Sequence, residues 1–126
     1  MAKILVVDDE KHIRELYSLE LTAEGYEVHT ATSCYNLLKK IKILQPDAIV
    51  LDIRLVDCDG LEMLVEIRDS FDDIPVILCT AYDSYKYEER AIAADYYVIK
   101  SFDLTELKTK LARALQANVP IQLKTG

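Results

Sequence analysis

Five polar residues, which stand at the ends of four short apolar runs, could carry chemistry in this sequence: Asp8, Asp9, Asp52, Thr80 and Lys100. The clearest case is the run 48–51, AIVL, which ends abruptly in the carboxylate of Asp52. A short, β-branched apolar run is typical of a strand that is buried on both faces. A carboxylate at the end of such a strand is costly unless a cation or a hydrogen-bond donor accompanies it.

The residue types favour metal-assisted phosphoryl chemistry. Three carboxylates that converge repel one another and recruit a cation, and oxygen ligands combined with a phosphate oxygen suit Mg²⁺. A lysine supplies a compact positive charge for a phosphoryl group, and a threonine hydroxyl can donate a hydrogen bond to it. Because no Ser–His or Cys–His pair is evident in the sequence, the available nucleophile is a carboxylate, which can form an aspartyl phosphate.

The apolar pattern predicts five strands that alternate with five helices along the chain. The predicted strands are 3–7, 26–31, 48–51, 74–79 and 96–99. Helices are predicted between them and after the last strand: 11–24, a second from an N-cap at Ser33 to Pro46, a third after Gly60, 84–93, and one that starts near Asp103. This alternation indicates a parallel sheet with right-handed crossovers and helices on both faces.

The positions of the five polar residues matter more than their types. Each alone has an ordinary explanation, as a helix N-cap, a turn residue or a solvated lysine. In a parallel sheet, however, the carboxyl ends of all strands lie at one edge, where ligands bind in open α/β sheets. The sequence therefore predicts that the five side chains meet there.

Composition limits the classes of function. A chain of 126 residues is expected to form one domain, here 1–118, with 119–126 as a tail or the start of a linker. The net charge of −7 argues against direct binding to nucleic acids or anionic membranes. No signal peptide or membrane-spanning run is evident, which favours a cytoplasmic location. Cys34, Cys58 and Cys79 lack CxxC spacing and are expected to be reduced thiols.

Four segments together resemble the receiver domains of two-component response regulators, the chemotaxis regulators among them. They are VVDDE at 6–10, LDIRLVDCDG at 51–60, CTA at 79–81 and ADYYVIKSF at 94–102. The resemblance covers residues 2 to about 117. It implies a three-layer, doubly wound (βα)5 flavodoxin-like fold with strand order 2-1-3-4-5. It also implies that a histidine kinase or phosphotransfer protein passes a phosphoryl group to this chain, which then changes a partner-binding surface.

The resemblance also implies a role for each site residue. Asp52 would be the phosphoacceptor, and Mg²⁺, or Mn²⁺ in its place, would be held by a set of oxygen ligands: Asp8 through water, Asp9, Asp52 and the backbone carbonyl of Arg54. Phosphoryl oxygens would be contacted by Thr80, the backbone N–H of Ala81, and Lys100. Thr80 and Tyr97 would form the switch, and Arg54 and Tyr82 would tune the lifetime of the phosphoryl group. The catalysis implied is limited to self-catalysed phosphotransfer and autodephosphorylation.

The surface that the resemblance implies for output is formed by the fourth predicted helix, the fifth strand and the last helix. An effector domain or a second copy of the chain could bind there.

The family's pattern is broken at three positions, where Val56, Ala93 and Ser101 stand in place of the usual Pro, Gly and Pro. Because a cis bond before a residue other than proline costs about 2.5–4 kcal/mol, the Lys100–Ser101 bond is expected to be trans.

Two alternatives remain at this point. The first is a Mg²⁺-dependent phosphatase that passes through an aspartyl phosphate, as haloacid-dehalogenase-like enzymes do. Their signature follows the first strand, where this chain has DDEKH. The second is a pseudo-receiver that binds partners without phosphorylation, and the intact set of Asp52, Thr80 and Lys100 argues against it.

Overall fold

A computed structural model of the chain describes residues 1–81, 91 and 93–117. Within these ranges the elements follow one another as β1 (Lys3–Val7), α1 (Lys11–Ala23), β2 (Glu27–Ala31), α2 (Leu37–Leu44), β3 (Ala48–Leu51), α3 (Gly60–Ser70), β4 (Val76–Thr80), β5 (Tyr96–Ile99) and α4 (Thr105–Ala117). The helix predicted over 84–93 falls almost entirely outside the described residues, as does the predicted tail or linker. Among the described residues, no helix is both long and apolar enough to cross a membrane.

The five strands form one parallel sheet in the order β2-β1-β3-β4-β5, which confirms the predicted fold class and topology. In the sheet register, Val7 at the end of β1 lies beside Leu51 at the end of β3. The residues that follow them, Asp8 and Asp52, therefore lie next to each other at the carboxyl edge of the sheet.

Two apolar cores fill the spaces between the sheet and its helices. Leu5, Ile49 and Leu51 contribute to the core that includes residues of α2 and α3. Ile4 and Val50 contribute to the core that includes residues of α1 and α4. Successive residues of a strand point to opposite faces, so each buried strand serves both cores. The result is the three-layer arrangement that the sequence predicts.

Three predicted boundaries differ from the structure by one to a few residues. Ser33 does not cap α2, because its Oγ accepts a hydrogen bond from the N–H of Tyr35 at 3.2 Å within a turn, and the helix begins only at Leu37. Strand β4 begins at Val76, later than predicted, since Pro75 has no N–H to contribute to the ladder. The strand also extends through Thr80, which is therefore held by the sheet itself.

The prediction of three reduced thiols is wrong for two of the cysteines. Cys34 and Cys58 are joined in a disulfide with a Cα–Cα distance of 6.2 Å, whereas Cys79 is buried and remains a thiol. The pair brings together the loop after β2 and the loop after β3, 24 residues apart in the sequence. A search for local cysteine spacing misses a pair of this kind, because only the fold makes the two loops neighbours.

Candidate functional site

The ends of four strands deliver polar side chains to one edge of the sheet. Backbone hydrogen bonds continue past the strand ends and fix these residues: the N–H of Asp8 donates to the Ala31 carbonyl at 3.1 Å, and the N–H of Asp52 donates to the Val7 carbonyl at 3.0 Å. The N–H of Lys100 donates to the carbonyl of Thr80 at 2.7 Å.

Lys100 is the centre of the site. Its ammonium nitrogen lies 2.7 Å from Oδ2 of Asp8, 3.1 Å from Oδ2 of Asp52 and 3.5 Å from Oε1 of Glu10. The side chains of Asp8 and Asp52 are 3% and 5% exposed, so both carboxylates are withdrawn from water. A buried charge persists where a partner compensates it, and here one cation serves several carboxylates.

Burial and the contacts with neighbouring charges together set the pKa values of Asp52 and Lys100. Burial raises the pKa of Asp52 to about 6, with the negative charge of Asp8 adding to the rise and Lys100 opposing it. Burial pushes the pKa of Lys100 downward, but the hydrogen bond to Asp8 and the charge of Asp52 outweigh it, so that this pKa lies above its ordinary value. Each neighbouring carboxylate stabilises the charged form of Lys100, whereas each carboxylate is stabilised by a cation that it shares with the others.

The site has more carboxylates than cations, and this excess of negative charge suits a hard divalent cation. Carboxylate oxygens of Asp8, Asp9 and Glu10 lie within 4.8 Å of one another. Asp52 joins them through its contact with Lys100, and its Oδ1 accepts a hydrogen bond from the N–H of Arg54 at 3.3 Å. A set of oxygen donors with one lysine among four carboxylates suits Mg²⁺ better than a softer metal. Sequence reasoning missed Glu10, although it directly follows the acidic pair.

Gly60 sets the shape of the loop that follows Asp52. Its N–H donates to the carbonyl of Ile53 at 2.7 Å, and a Cβ at this position would collide with the backbone of Asp52 and lie 2.7 Å from Cα of Ile53. Asp59 then begins α3 by accepting a hydrogen bond from the N–H of Leu61 at 2.9 Å. From the sequence, Gly60 was identified only as a turn residue, but its closest contacts are with the backbone that holds Asp52.

The other predicted site residues are placed as follows. Thr80 is buried at the end of β4, Ala81 is exposed directly after it, and Tyr97 is partly buried against the core beside α2 and α3. Tyr82 lies outside the described residues. None of the peptide bonds in the described ranges is cis, so the expectation of a trans Lys100–Ser101 bond is confirmed.

The family model described as "Response regulator receiver domain" matches residues 4–112. The chain belongs to this family. The chain is 39% identical over 116 residues to the regulatory protein AtoC of Escherichia coli, a match that covers 90% of this chain and 25% of AtoC. It is 36% identical over 120 residues to the response regulator MprA of Mycolicibacterium vanbaalenii, covering 94% of this chain and 52% of MprA. The receiver domain thus spans about a quarter to a half of the length of these curated relatives.

Solved structures of other receiver domains are closely similar. The response regulator TrrA of Thermotoga maritima, crystallised in complex with Mg²⁺-BeF, is 46% identical with a TM-score of 0.87, over 90% of this chain and 99% of TrrA. TrrA in complex with the histidine kinase ThkA gives a TM-score of 0.86 at 46% identity, over 91% and 99% of the two chains. A CheY-like receiver domain from Methanospirillum hungatei is 29% identical with a TM-score of 0.87, over 100% of this chain and 99% of that one.

Proposed function

We propose that this receiver domain accepts a phosphoryl group on Asp52 with the help of Mg²⁺. The observation that carries the proposal is the buried carboxylate of Asp52, held 3.1 Å from Lys100 beside an acidic cluster at the carboxyl edge of the sheet. Mg²⁺ would be held by oxygen ligands of four residues: Asp8 through water, Asp9, Asp52 and the carbonyl of Arg54. The complex of TrrA with Mg²⁺-BeF supports this assignment, and Mn²⁺ could replace Mg²⁺.

The chemistry follows from the contacts of Asp52. Its Oδ1 accepts from the N–H of Arg54 and its Oδ2 from Lys100, so the carboxylate is oriented before a donor arrives. One carboxylate oxygen attacks phosphorus, and the bond from phosphorus to the donor breaks. The metal ion, when bound, neutralises charge on the transferring group. Lys100, the Thr80 hydroxyl and the Ala81 N–H then contact the phosphoryl oxygens.

The donor is proposed to be a histidine kinase or a phosphotransfer protein, which the complex of TrrA with ThkA supports. Thr80 and Tyr97 would transmit the change to the surface of the fourth predicted helix, β5 and α4, where an effector domain or a second copy binds. Arg54 and Tyr82 would tune the lifetime of the phosphoryl group. We further propose a cytoplasmic location, a domain spanning 1–118 and a linker beginning at 119.

We also propose that the chain hydrolyses no external phosphate ester and loses only its own phosphoryl group. The comparisons bring no support to the phosphatase alternative or to the pseudo-receiver alternative. A pseudo-receiver would not need a buried aspartate and lysine in contact with an acidic cluster.

The test is labelling by a small phosphodonor. With Mg²⁺ and acetyl phosphate, intact-mass spectra should show one added phosphoryl group that is labile to base. Asp52→Asn should abolish it because an amide cannot attack phosphorus, and a chelator should abolish it as well. Asp69→Asn is the matched control, since it removes an exposed carboxylate on α3 and should leave labelling intact. Equal labelling of wild type and Asp52→Asn would refute the assignment.

A further inference from the structure

The Cys34–Cys58 disulfide crosses between two loops at the functional edge of the sheet. Cys34 lies in the loop between β2 and α2, and Cys58 lies in the loop between β3 and α3, residues 52–59, which we call the acceptor loop. The acceptor loop begins with Asp52 and contains Arg54. We infer that Cys34 and Cys58 form a reversible redox modification site whose closure restrains the acceptor loop.

The geometry suits a disulfide that opens and closes. The Cα–Cα distance of 6.2 Å lies within the range that disulfides adopt, so the two loops hold the closed pair at an ordinary separation. Both cysteines are partly exposed, which admits a small redox partner, whereas Cys79 is buried. A pair of this kind exchanges with the surrounding thiols and disulfides, so its state follows the thiol–disulfide balance of the compartment.

Asp57 supplies a second, non-covalent link between the two loops. Its Oδ1 accepts a hydrogen bond from the N–H of Cys34 at 3.1 Å and thereby joins the acceptor loop to the neighbouring loop. This bond does not involve either sulfur and can persist after reduction. The two thiols then remain neighbours, which gives them a high effective concentration toward each other.

The reaction is thiol–disulfide exchange with a low-molecular-weight disulfide such as glutathione disulfide. One cysteine thiolate attacks a sulfur of the oxidant, whose S–S bond breaks and releases one glutathione thiolate. The second cysteine thiolate attacks the mixed disulfide, forming the Cys34–Cys58 bond and releasing the second glutathione. The two cysteine thiols lose two electrons and two protons in total, and the oxidant is reduced to two thiols.

The consequence for the site rests on the proposed function. The acceptor loop supplies Asp52 and the Arg54 carbonyl as metal ligands, and these must be ordered before Mg²⁺ binds. Closing the disulfide orders the loop in advance, so the oxidised protein should bind Mg²⁺ more tightly than the reduced protein. A gain on the order of fivefold to thirtyfold in affinity corresponds to ordering about one loop residue.

The first experiment tests the modification itself. The whole chain is equilibrated with mixtures of reduced and oxidised glutathione, and its mass and peptide map are recorded. The expected product has lost two hydrogens and contains a Cys34–Cys58 crosslinked peptide. Asp57→Ala should require a more oxidising mixture for the same extent of closure, and Cys79→Ala should close like wild type. Glutathione adducts on separate cysteines, without the crosslink, would overturn the inference.

A second measurement separates a disulfide from a metal site, because the Asp57 carboxylate and both sulfurs lie within 4.8 Å of one another. Reduced protein is titrated with Zn²⁺ in the presence of glutathione. Failure to bind Zn²⁺ stoichiometrically is expected. Stoichiometric binding that Cys34→Ser abolishes would make the cluster a metal site and refute the redox proposal.

The third experiment tests the coupling to the acceptor loop. Amide hydrogen exchange over 53–59 should be slower in the oxidised protein, and calorimetry should give a lower Kd for Mg²⁺. Cys58→Ser should behave like the reduced protein under both conditions. Equal exchange and equal Kd in the two redox states would overturn the coupling while leaving phosphorylation of Asp52 intact. Slower exchange without Mg²⁺ binding in either state would support the restraint and refute the proposed metal site instead.

Discussion

The ammonium nitrogen of Lys100 lies 3.1 Å from Oδ2 of Asp52, although 48 residues separate them in the sequence. The contact joins the end of β5 to the end of β3 across β4. Because Lys100 also binds Asp8 at 2.7 Å, it holds together two carboxylates that would otherwise repel each other.

Replacing Lys100 should therefore destabilise the metal-free protein. Lys100→Met leaves Asp8 and Asp52 buried without their shared cation, at a cost of about 3–5 kcal/mol in the free energy of unfolding at neutral pH. The loss should be smaller with Mg²⁺ than with a chelator, and urea unfolding under both conditions measures it. Lys11→Met is the control, because its pair with Glu15 is exposed at 3.8 Å and should contribute almost nothing. Equal losses for the two variants would contradict the shared-cation interpretation.

The raised pKa of Asp52 predicts a pH dependence of stability in the absence of metal. A folded-state pKa of about 6 lies above the ordinary 3.8, so between these pH values the folded protein binds more protons than the unfolded chain. The free energy of unfolding should therefore fall as the pH rises through this window. Asp52→Asn removes the titrating group and should be more stable than wild type above the window, by on the order of 3 kcal/mol.

Urea unfolding in chelator across this pH range measures the effect. Asp69→Asn should keep the slope of wild type, because that carboxylate is exposed on α3. If Asp52→Asn retained the wild-type slope, the pH dependence would have to come from another group.

A side chain at position 60 should disturb the acceptor loop. In Gly60→Ala the new Cβ meets the backbone of Asp52 and Ile53, which cannot move aside as a flexible side chain would. We expect a loss of about 1–3 kcal/mol in the free energy of unfolding and slower labelling of Asp52.

Gly25→Ala is the matched control, because its cost comes from a φ of +97° alone, with nothing within 4 Å of the added Cβ. It should lose about 1 kcal/mol. Gly25 precedes β2 and so lies at the other edge of the sheet, and its variant should be labelled as fast as wild type. Similar labelling defects in both variants would show that general destabilisation, rather than loop geometry, slows the reaction.

Thr80→Ala tests the proposed switch. The variant retains Asp52 and Lys100 and should still accept a phosphoryl group, but it lacks the hydroxyl that would be drawn toward the phosphoryl oxygens. Backbone amide shifts in β5, including Tyr97, should therefore be much smaller on phosphorylation than in wild type, as measured by NMR. Thr80→Ser keeps the hydroxyl and should restore them. Identical shifts in Thr80→Ala and wild type would exclude Thr80 as the coupling residue.

The sequence alone determined the sheet and the edge at which the site lies. Alternating apolar runs predict a doubly wound parallel sheet, and all strands of such a sheet end at one edge. Asp8, Asp52, Thr80 and Lys100 could therefore be assigned to one site before any distance was known. Local periodicity predicts the strands, and the parallel topology then brings their carboxyl ends to one edge of the sheet.

Only the tertiary structure decided which groups make contact within that site. The sharing of Lys100 among Asp8, Asp52 and Glu10, the approach of Gly60 to the backbone of Asp52, and the Cys34–Cys58 disulfide all depend on how loops close. Loop conformations are set by contacts between residues far apart in sequence, which leave no periodic signal in the chain. The strand pattern therefore predicts where the residues meet, and the packing of the loops determines which atoms touch.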